Sequence, residues 1–343
     1  MTAQLGRRQT RVGAGISFVL VTVVAAALLA AAAQGDQVAA RAVHAQRWPA
    51  AKSAGLVNPE TEARISALLA QLSLEEKVGQ VIQTDISAIE PGDLRRYPLG
   101  SVLASGNSGV HGDERAPPAT WLALAREFRA VSLEQRAGHV PIPVIFGIDA
   151  VHGHNNIVGA VVYPHNIGLG AAHDPDLVRR IGAATAEEVA ATGIDWTFAP
   201  TLAAPQDVRW GRSYEGYSQD PGLVRQYATA AVEGLQGPAT LAGKLQAGHI
   251  AATAKHFLAD GGTLWGEDQG DAQIGESELI RTHAQGYVAA IDAGVLTVMA
   301  SYSSWQGAKL HGDHSLLTDI LKGRMGFDGL VVGDWNAHAQ VPG

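Results

Sequence analysis

The sequence predicts an α/β fold, a (β/α)8 TIM-like barrel with about six of its eight β/α units present. Three observations carry this. Short apolar, β-prone runs alternate with long alanine-rich helical stretches, the pattern of a parallel sheet with crossover helices. Each apolar run stops at polar groups able to do chemistry, as barrel strands do at the mouth where an active site is assembled. No G-x-G-x-x-G or Walker sequence occurs, whereas a doubly wound open sheet usually carries a glycine-rich phosphate loop at its switch point. Composition agrees. The 343 residues are 46% hydrophobic and 17% charged, which suffices for a large core and excludes disorder. The absence of cysteine excludes a disulfide scaffold and a thiolate metal site. A net charge of −8, from 25 Lys plus Arg against 33 Asp plus Glu, speaks against nucleic-acid binding, which needs a basic footprint.

The chain opens on an address. Arg7, Arg8 and Arg11 precede an uncharged run from Val12 to Ala33 that ends in small residues, the layout of a secretory signal peptide over residues 1–34. The competing reading is a retained membrane anchor, since the run is long enough to span a bilayer. Cleavage leaves 22 basic residues against 33 acidic, a net −11. The expected location is the periplasm or the medium, with no stable membrane partner unless the N-terminal segment is retained. Residues 35–55 read as a polar linker, and 56–343 as the barrel. Asn58-Pro59 opens a helix, and Thr61 to Val81 carries Ile65, Leu68, Leu69, Leu72, Val78 and Val81 at helical spacing. The candidate strands follow. Leu99 to Ser105 runs into Gly106, Val144 to Ile148 ends at Asp149, and Asp195 to Ala199 leads into Pro200. Ala251 to Ala254 ends at Lys255-His256, Leu296 to Ala300 at Ser301-Tyr302, and Leu330 to Gly333 at Asp334-Trp335. At roughly 30 residues per unit a barrel would need about 60 more residues. Only nine follow Asp334, so the sequence reads as truncated inside its barrel.

Several constellations can carry chemistry. Asp334 is a carboxylate at a strand end beside Trp335. It suits attack on a sugar, whose oxocarbenium-like transition state a carboxylate stabilises or traps, while the indole offers a stacking face. The competing role is an ordinary helix cap. Lys255 and His256 can donate hydrogen bonds to sugar hydroxyls, Lys255 can act as a Schiff-base nucleophile, or it can form a rim salt bridge. Schiff-base chemistry needs an apolar pocket that lowers the lysine pKa. Neighbouring carboxylates would keep it charged, which favours hydroxyl binding. Asp149 can accept from adjacent sugar hydroxyls. His152 and His154 follow it, but no third ligand is identifiable by spacing, so no metal and no cofactor are expected. Arg212 can fork onto hydroxyls with Glu215 fixing it, or the loop Arg209–Glu215 is surface charge around an aromatic anchor.

These residues resemble the N-terminal barrel of glycoside hydrolase family 3, closest to its exo-acting β-glucan glucohydrolase and β-glucosidase branch. Seven ordered segments carry the likeness: Gly147-Ile148-Asp149-Ala150-Val151-His152-Gly153-His154-Asn155, Pro164-His165-Asn166-Ile167-Gly168-Leu169-Gly170, Phe198-Ala199-Pro200, Arg209-Trp210-Gly211-Arg212-Ser213-Tyr214-Glu215, Ala254-Lys255-His256-Phe257, Ser301-Tyr302-Ser303-Ser304-Trp305, and Val331-Val332-Gly333-Asp334-Trp335. The resemblance implies that Asp334 is the nucleophile of a retaining mechanism. It also implies that Asp149, Arg212, Lys255 and His256 hold the terminal glucosyl unit, that Glu215 and Tyr302 support that subsite, and that Trp335 walls the next sugar. The implied partner is a β-glucan or β-glucoside oligosaccharide.

The sequence departs from the family's pattern in three places. In two-domain members of this branch the acid/base is a glutamate on a second domain, absent from this sequence, so no residue is carried over for that role. Glu267 and Asp271 are possible substitutes. The barrel stops early, and Gly333 stands where many members have Ser. The cell-wall recycling branch reads Lys-His-Phe-Pro-Gly-His-Gly, whereas Lys255-His256-Phe257-Leu258-Ala259-Asp260-Gly261 lacks that proline and histidine. The leading expectation is therefore a β-glucosidase or exo-β-glucanase. The alternative is a catalytically incompetent remnant with at most weak sugar binding.

Overall fold

The computed structural model describes residues 43–53, 55–238 and 245–341, so the expected signal peptide at 1–34 lies outside the described residues. Among the described residues, seven parallel strands follow one another around an arc: β1 (Gln83–Asp85), β2 (Ser101–Ala104), β3 (Ile145–Ile148), β4 (Trp196–Thr197), β5 (Thr253–Phe257), β6 (Thr297–Ala300) and β7 (Leu330–Val332). Successive strands pair directly from β1 to β4 and from β5 to β7. Bridges Trp196 to Ala251 and Thr201 to Lys255 join the two halves. Sequential parallel strands with helices between them are the wall of a TIM-like barrel. The sequence count of six omits β1, a three-residue polar strand with no apolar run to reveal it.

The helices stand where capping residues start them. Asn58 caps α1 (Pro59–Leu69), accepting from the Thr61 N–H at 3.0 Å with Pro59 in the first turn. The single helix expected over 61–81 is two, because Ser73 and Glu76 form a reciprocal capping box that starts α2 (Leu74–Gln80). Of its six apolar residues, only Leu72 is buried, and Ile65, Leu69, Val78 and Val81 are exposed. Crossovers then run through α3 (Pro118–Ser132), α4 (Pro175–Ala191), α5 (Pro221–Gln236), α6 (Gln285–Asp292) and the helical segment Ser315–Arg324. Asp174-Pro175 and Asp220-Pro221 open α4 and α5 with an acidic cap followed by proline. These two helices meet at Gly182 and Gly234. A Cβ on Gly234 would fall 2.4 Å from the Arg179 carbonyl, so only glycine permits the approach.

Inside the arc, Trp196, Phe198 and Met299 form a cluster with Leu103, Ala251 and Val332 against it. A Cβ on Gly147 would lie 2.6 Å from the Phe198 ring, so β3 yields space to that ring. The Trp196 Nε1–H donates to the hydroxyls of Thr253 and Thr297 at 2.8 and 3.0 Å, tying the starts of β4, β5 and β6. Within the expected linker, the stretch from Ala45 onward belongs to this body. Trp48 is 1% exposed, its Nε1–H donates to Glu276 at 2.9 Å and its carbonyl accepts from Arg324 at 2.7 Å. Among the described residues no helix is long and apolar enough to cross a membrane.

Candidate active site

Strand ends place the site. Asp149 follows β3, Asp334 follows β7, and Lys255 and His256 lie within β5. Adjacent residues of a regular strand point to opposite faces, so Lys255 and His256 would not share a site there. The β5–β6 register shifts between Ala254 and Phe257, and such an irregularity re-aims side chains. Both residues reach the mouth while staying buried, at 6% and 3% exposure.

Three ion-paired or hydrogen-bonded couples result. The Lys255 Nζ donates to Asp149 Oδ1 at 2.8 Å, one of three hydrogens, leaving two for a ligand. Arg212 forks onto Glu215, Nε to Oε1 at 2.6 Å and Nη2 to Oε2 at 2.9 Å. His256 Nδ1 stands 2.8 Å from Asp260 Oδ2, and its Nε2 lies 3.2 Å from Arg212 Nη2 and 4.0 Å from Asp334 Oδ2. The chain Glu215–Arg212–His256–Asp334 thus links the loop after β4 to the end of β7.

Burial alone would lower the Arg212 pKa, but its hydrogen bonds to Glu215 and the charges of Glu215, Asp260 and Asp268 raise it. Burial likewise pushes the Glu215 carboxyl up, and the Arg212 hydrogen bonds with the charges of Arg212 and Lys255 more than reverse this. Asp260 follows the same pattern: burial raises, and His256, Arg212 and the Gly261 N–H together lower.

Asp334 is held through its backbone. Its N–H donates to His311 Nε2 at 3.0 Å, and its Oδ1 accepts from the Trp335 N–H at 2.7 Å. Burial lowers the His311 pKa although the Asp334 charge opposes this, so the ring serves Asp334 as a neutral acceptor. Tyr302 stands edge-on to His311 at 6.2 Å, with Lys309 Nζ 5.9 Å from the phenol ring. Tyr302 is thereby placed beside the group that carries Asp334. Trp335 is 56% exposed and lines, with Asp85, Asp149 and Asp334, a cleft of about 690 Å³.

The two histidines weighed as metal ligands have different partners. His154 Nε2 meets the Thr192 hydroxyl at 2.9 Å, whereas His152 Nε2 meets His165 Nδ1 at 2.8 Å. Glu267 is exposed, and Asp271 accepts the Gly307 N–H at 2.8 Å. Asp260 and His311 escaped the sequence reading. Asp260 returns beneath His256 because Ala259 turns the chain at φ +67°, a conformation its side chain does not advertise. His311 comes from a short 3-10 turn, Leu310–Gly312, with no motif around it.

Sequence comparison matches residues 73–342 to the Glycosyl hydrolase family 3 N terminal domain. The chain is 31% identical over 287 residues to a lysosomal beta glucosidase of Dictyostelium discoideum, an alignment covering 79% of this chain and 35% of that protein. It is 28% identical over 288 residues to a periplasmic beta-glucosidase of Salmonella typhimurium, covering 83% and 35%. The crystal structure of an exo-1,3/1,4-beta-glucanase from a Pseudoalteromonas species superposes with a TM-score of 0.82 at 49% identity, covering 86% of this chain and 36% of that one. The chain spans about a third of the length of the curated relatives it matches.

Proposed function

Because the chain belongs to glycosyl hydrolase family 3, we propose that it is the barrel of a retaining, exo-acting β-glucosidase or β-glucan glucohydrolase with Asp334 as nucleophile. It would remove glucose from the non-reducing end of β-glucans or cello-oligosaccharides. The observation that carries this is the convergence of Asp334 with His256 at 4.0 Å, on the mouth where Lys255 holds Asp149 and Glu215 holds Arg212. Asp149, Lys255, Arg212 and His256 grip the hydroxyls of one terminal sugar, with Glu215 and Tyr302 in support. Binding energy from that grip is available to distort the ring toward its transition state. Trp335 is the wall on which the next sugar stacks. The name of the Pseudoalteromonas relative supports β-1,3- and β-1,4-glucans as the substrate class.

No residue of this chain is assigned the proton-donating role. A retaining pair needs its carboxyl groups roughly 5 Å apart; Glu267 is exposed and Asp271 is engaged with the Gly307 N–H. Residues 1–34 are read as a signal peptide, and the periplasmic relative supports a periplasmic or secreted enzyme.

The test is covalent trapping with a 2-deoxy-2-fluoro-β-glucosyl fluoride. Its activated leaving group lessens the need for an acid, so the result depends on the nucleophile. Peptide mass spectrometry should find the fluorosugar on Asp334. Labelling of another residue, or unimpaired hydrolysis of 4-nitrophenyl β-glucoside by Asp334→Ala, refutes the assignment.

A further inference from the structure

We infer that Asp260 is a positioning residue: its buried carboxylate holds the His256 ring with the proton on Nδ1, so that Nε2 enters the site as a hydrogen-bond acceptor. This deepens the glucosidase reading above and rests on it for its catalytic consequence. Asp260 is 7% exposed and has two donors on its two oxygens, the Gly261 N–H on Oδ1 at 3.0 Å and His256 Nδ1 on Oδ2 at 2.8 Å. An ionised carboxylate only accepts, so the proton of that second bond sits on Nδ1. The other side of the ring agrees. Its Nε2 faces Arg212 Nη2 at 3.2 Å, and a guanidinium only donates, so Nε2 must present its lone pair. Asp334 Oδ2, at 4.0 Å, lies beyond hydrogen-bond reach and does not compete. Two independent neighbours, one purely accepting and one purely donating, therefore select the same tautomer.

The consequence is a division of labour within adjacent residues. Lys255 can only donate, so it takes the lone pair of a sugar hydroxyl. His256, in this tautomer, takes the proton of one when that hydroxyl displaces the Arg212 N–H from the single Nε2 lone pair. A hydroxyl is both donor and acceptor, so the couple reads a hydroxyl from both sides, its proton at His256 and one of its lone pairs at Lys255. This replaces the expectation that both residues donate.

Asparagine tests this because it has one acceptor oxygen for two donors. In Asp260→Asn, with the amide oxygen on the Gly261 N–H, the NH2 group faces Nδ1. The proton then moves to Nε2, where it opposes Arg212. The experiment is 15N-histidine NMR of the full chain at pH 7, with the His256 signals identified by their loss in His256→Phe. The wild-type ring should show the protonated-type nitrogen at Nδ1 and the lone-pair type at Nε2, and Asp260→Asn should exchange them. On 4-nitrophenyl β-glucoside, Asp260→Asn should lose about ten- to a hundredfold in kcat/KM, the scale of one hydrogen bond to a charged group. The Nε2–H tautomer or a doubly protonated ring in the wild type overturns the inference, and so does an unchanged tautomer in folded Asp260→Asn. Should the variant not fold, the wild-type spectrum alone decides. The spectrum needs no turnover: a failed Asp334 assignment leaves it readable, and a wrong tautomer alongside a labelled Asp334 sinks only this inference.

Discussion

Glu215→Gln isolates the clamp that aims Arg212. The wild-type carboxylate accepts two charge-assisted hydrogen bonds, at 2.6 and 2.9 Å. Glutamine keeps one acceptor and turns an NH2 toward the guanidinium, losing one bond and opposing two donors. A hydrogen bond to a charged group contributes about 1.5–3 kcal/mol. The Glu215 side chain is 15% exposed and that of Arg212 30%, so water compensates part of the loss, and about 2 kcal/mol is the expected destabilisation. For a barrel of this size that is a fall of about 2–4 °C in melting temperature. The freed guanidinium also loses its hold on His256, so glucose binding should weaken about tenfold, one bond's worth in free energy. Differential scanning calorimetry and isothermal titration with glucose measure the two effects. Arg212→Lys should do at least as much harm, since a point charge cannot reproduce the fork. A Gln variant that melts and binds like the wild type would show that the clamp does not position Arg212.

Two further predictions concern other parts of the fold. Burial lowers the pKa of His154 and His283 from 6.5 to about 4, so as pH falls from 6.5 toward 4 the unfolded chain binds protons that the folded chain refuses, at a cost of up to about 3 kcal/mol per ring. Urea unfolding between pH 7 and 5, where Glu215 and Asp260 stay ionised, should show stability falling with pH, and His154→Phe should flatten that slope; equal slopes would contradict it. Trp335→Ala should weaken a β-linked disaccharide inhibitor about two- to tenfold, the range of one aromatic stacking contact, while leaving glucose itself nearly unaffected; inhibition constants for the two ligands decide it.

The fold was legible wherever a strand is an apolar run. Val298-Met299 announces β6 because that strand is buried along its whole length, and Val331-Val332 announces β7 by its β-branched run although that strand is only half-buried. Gln83-Thr84-Asp85 was not legible, since three polar residues carry no period. Its evidence is tertiary: Asp85 ends β1 by accepting from the N–H groups of Ser87 and Ser105 and the Ser108 hydroxyl. The break at Ser73 was written as a capping box, but the apolar spacing on either side outvoted it. In the site, residues at strand ends were readable because the barrel always presents them. Asp260 was not, because its approach to His256 depends on a left-handed turn at an alanine. His311 acts through its ring nitrogen on a backbone N–H, a role any residue's neighbour can fill and no motif encodes.

On the proposed assignment of Asp334 as nucleophile, the pairings also explain why that carboxylate is the one left to react. Asp149 is held by Lys255, Glu215 by Arg212, and Asp260 by His256. Each of these acids meets a donor side chain within 2.9 Å, so its lone pairs are partly committed and its direction is fixed. Asp334 differs: its carboxylate accepts from the Trp335 N–H and faces His256 at 4.0 Å, and among the described residues no lysine or arginine pairs with it. A carboxylate bound by a lysine or arginine is a weaker nucleophile, because attack must break that bond as the negative charge moves to carbon. Leaving Asp334 out of direct ion pairs while surrounding it with paired ones keeps its attack cheap. The formal charge of the cluster, two cations against four carboxylates, is net negative, which favours the positive charge that builds at the anomeric carbon. A variant that brings a permanent cation to Asp334, such as His311→Lys, should therefore bind glucose and still lose turnover, and retained turnover with the added charge in place would refute this account of why Asp334 is the reactive one.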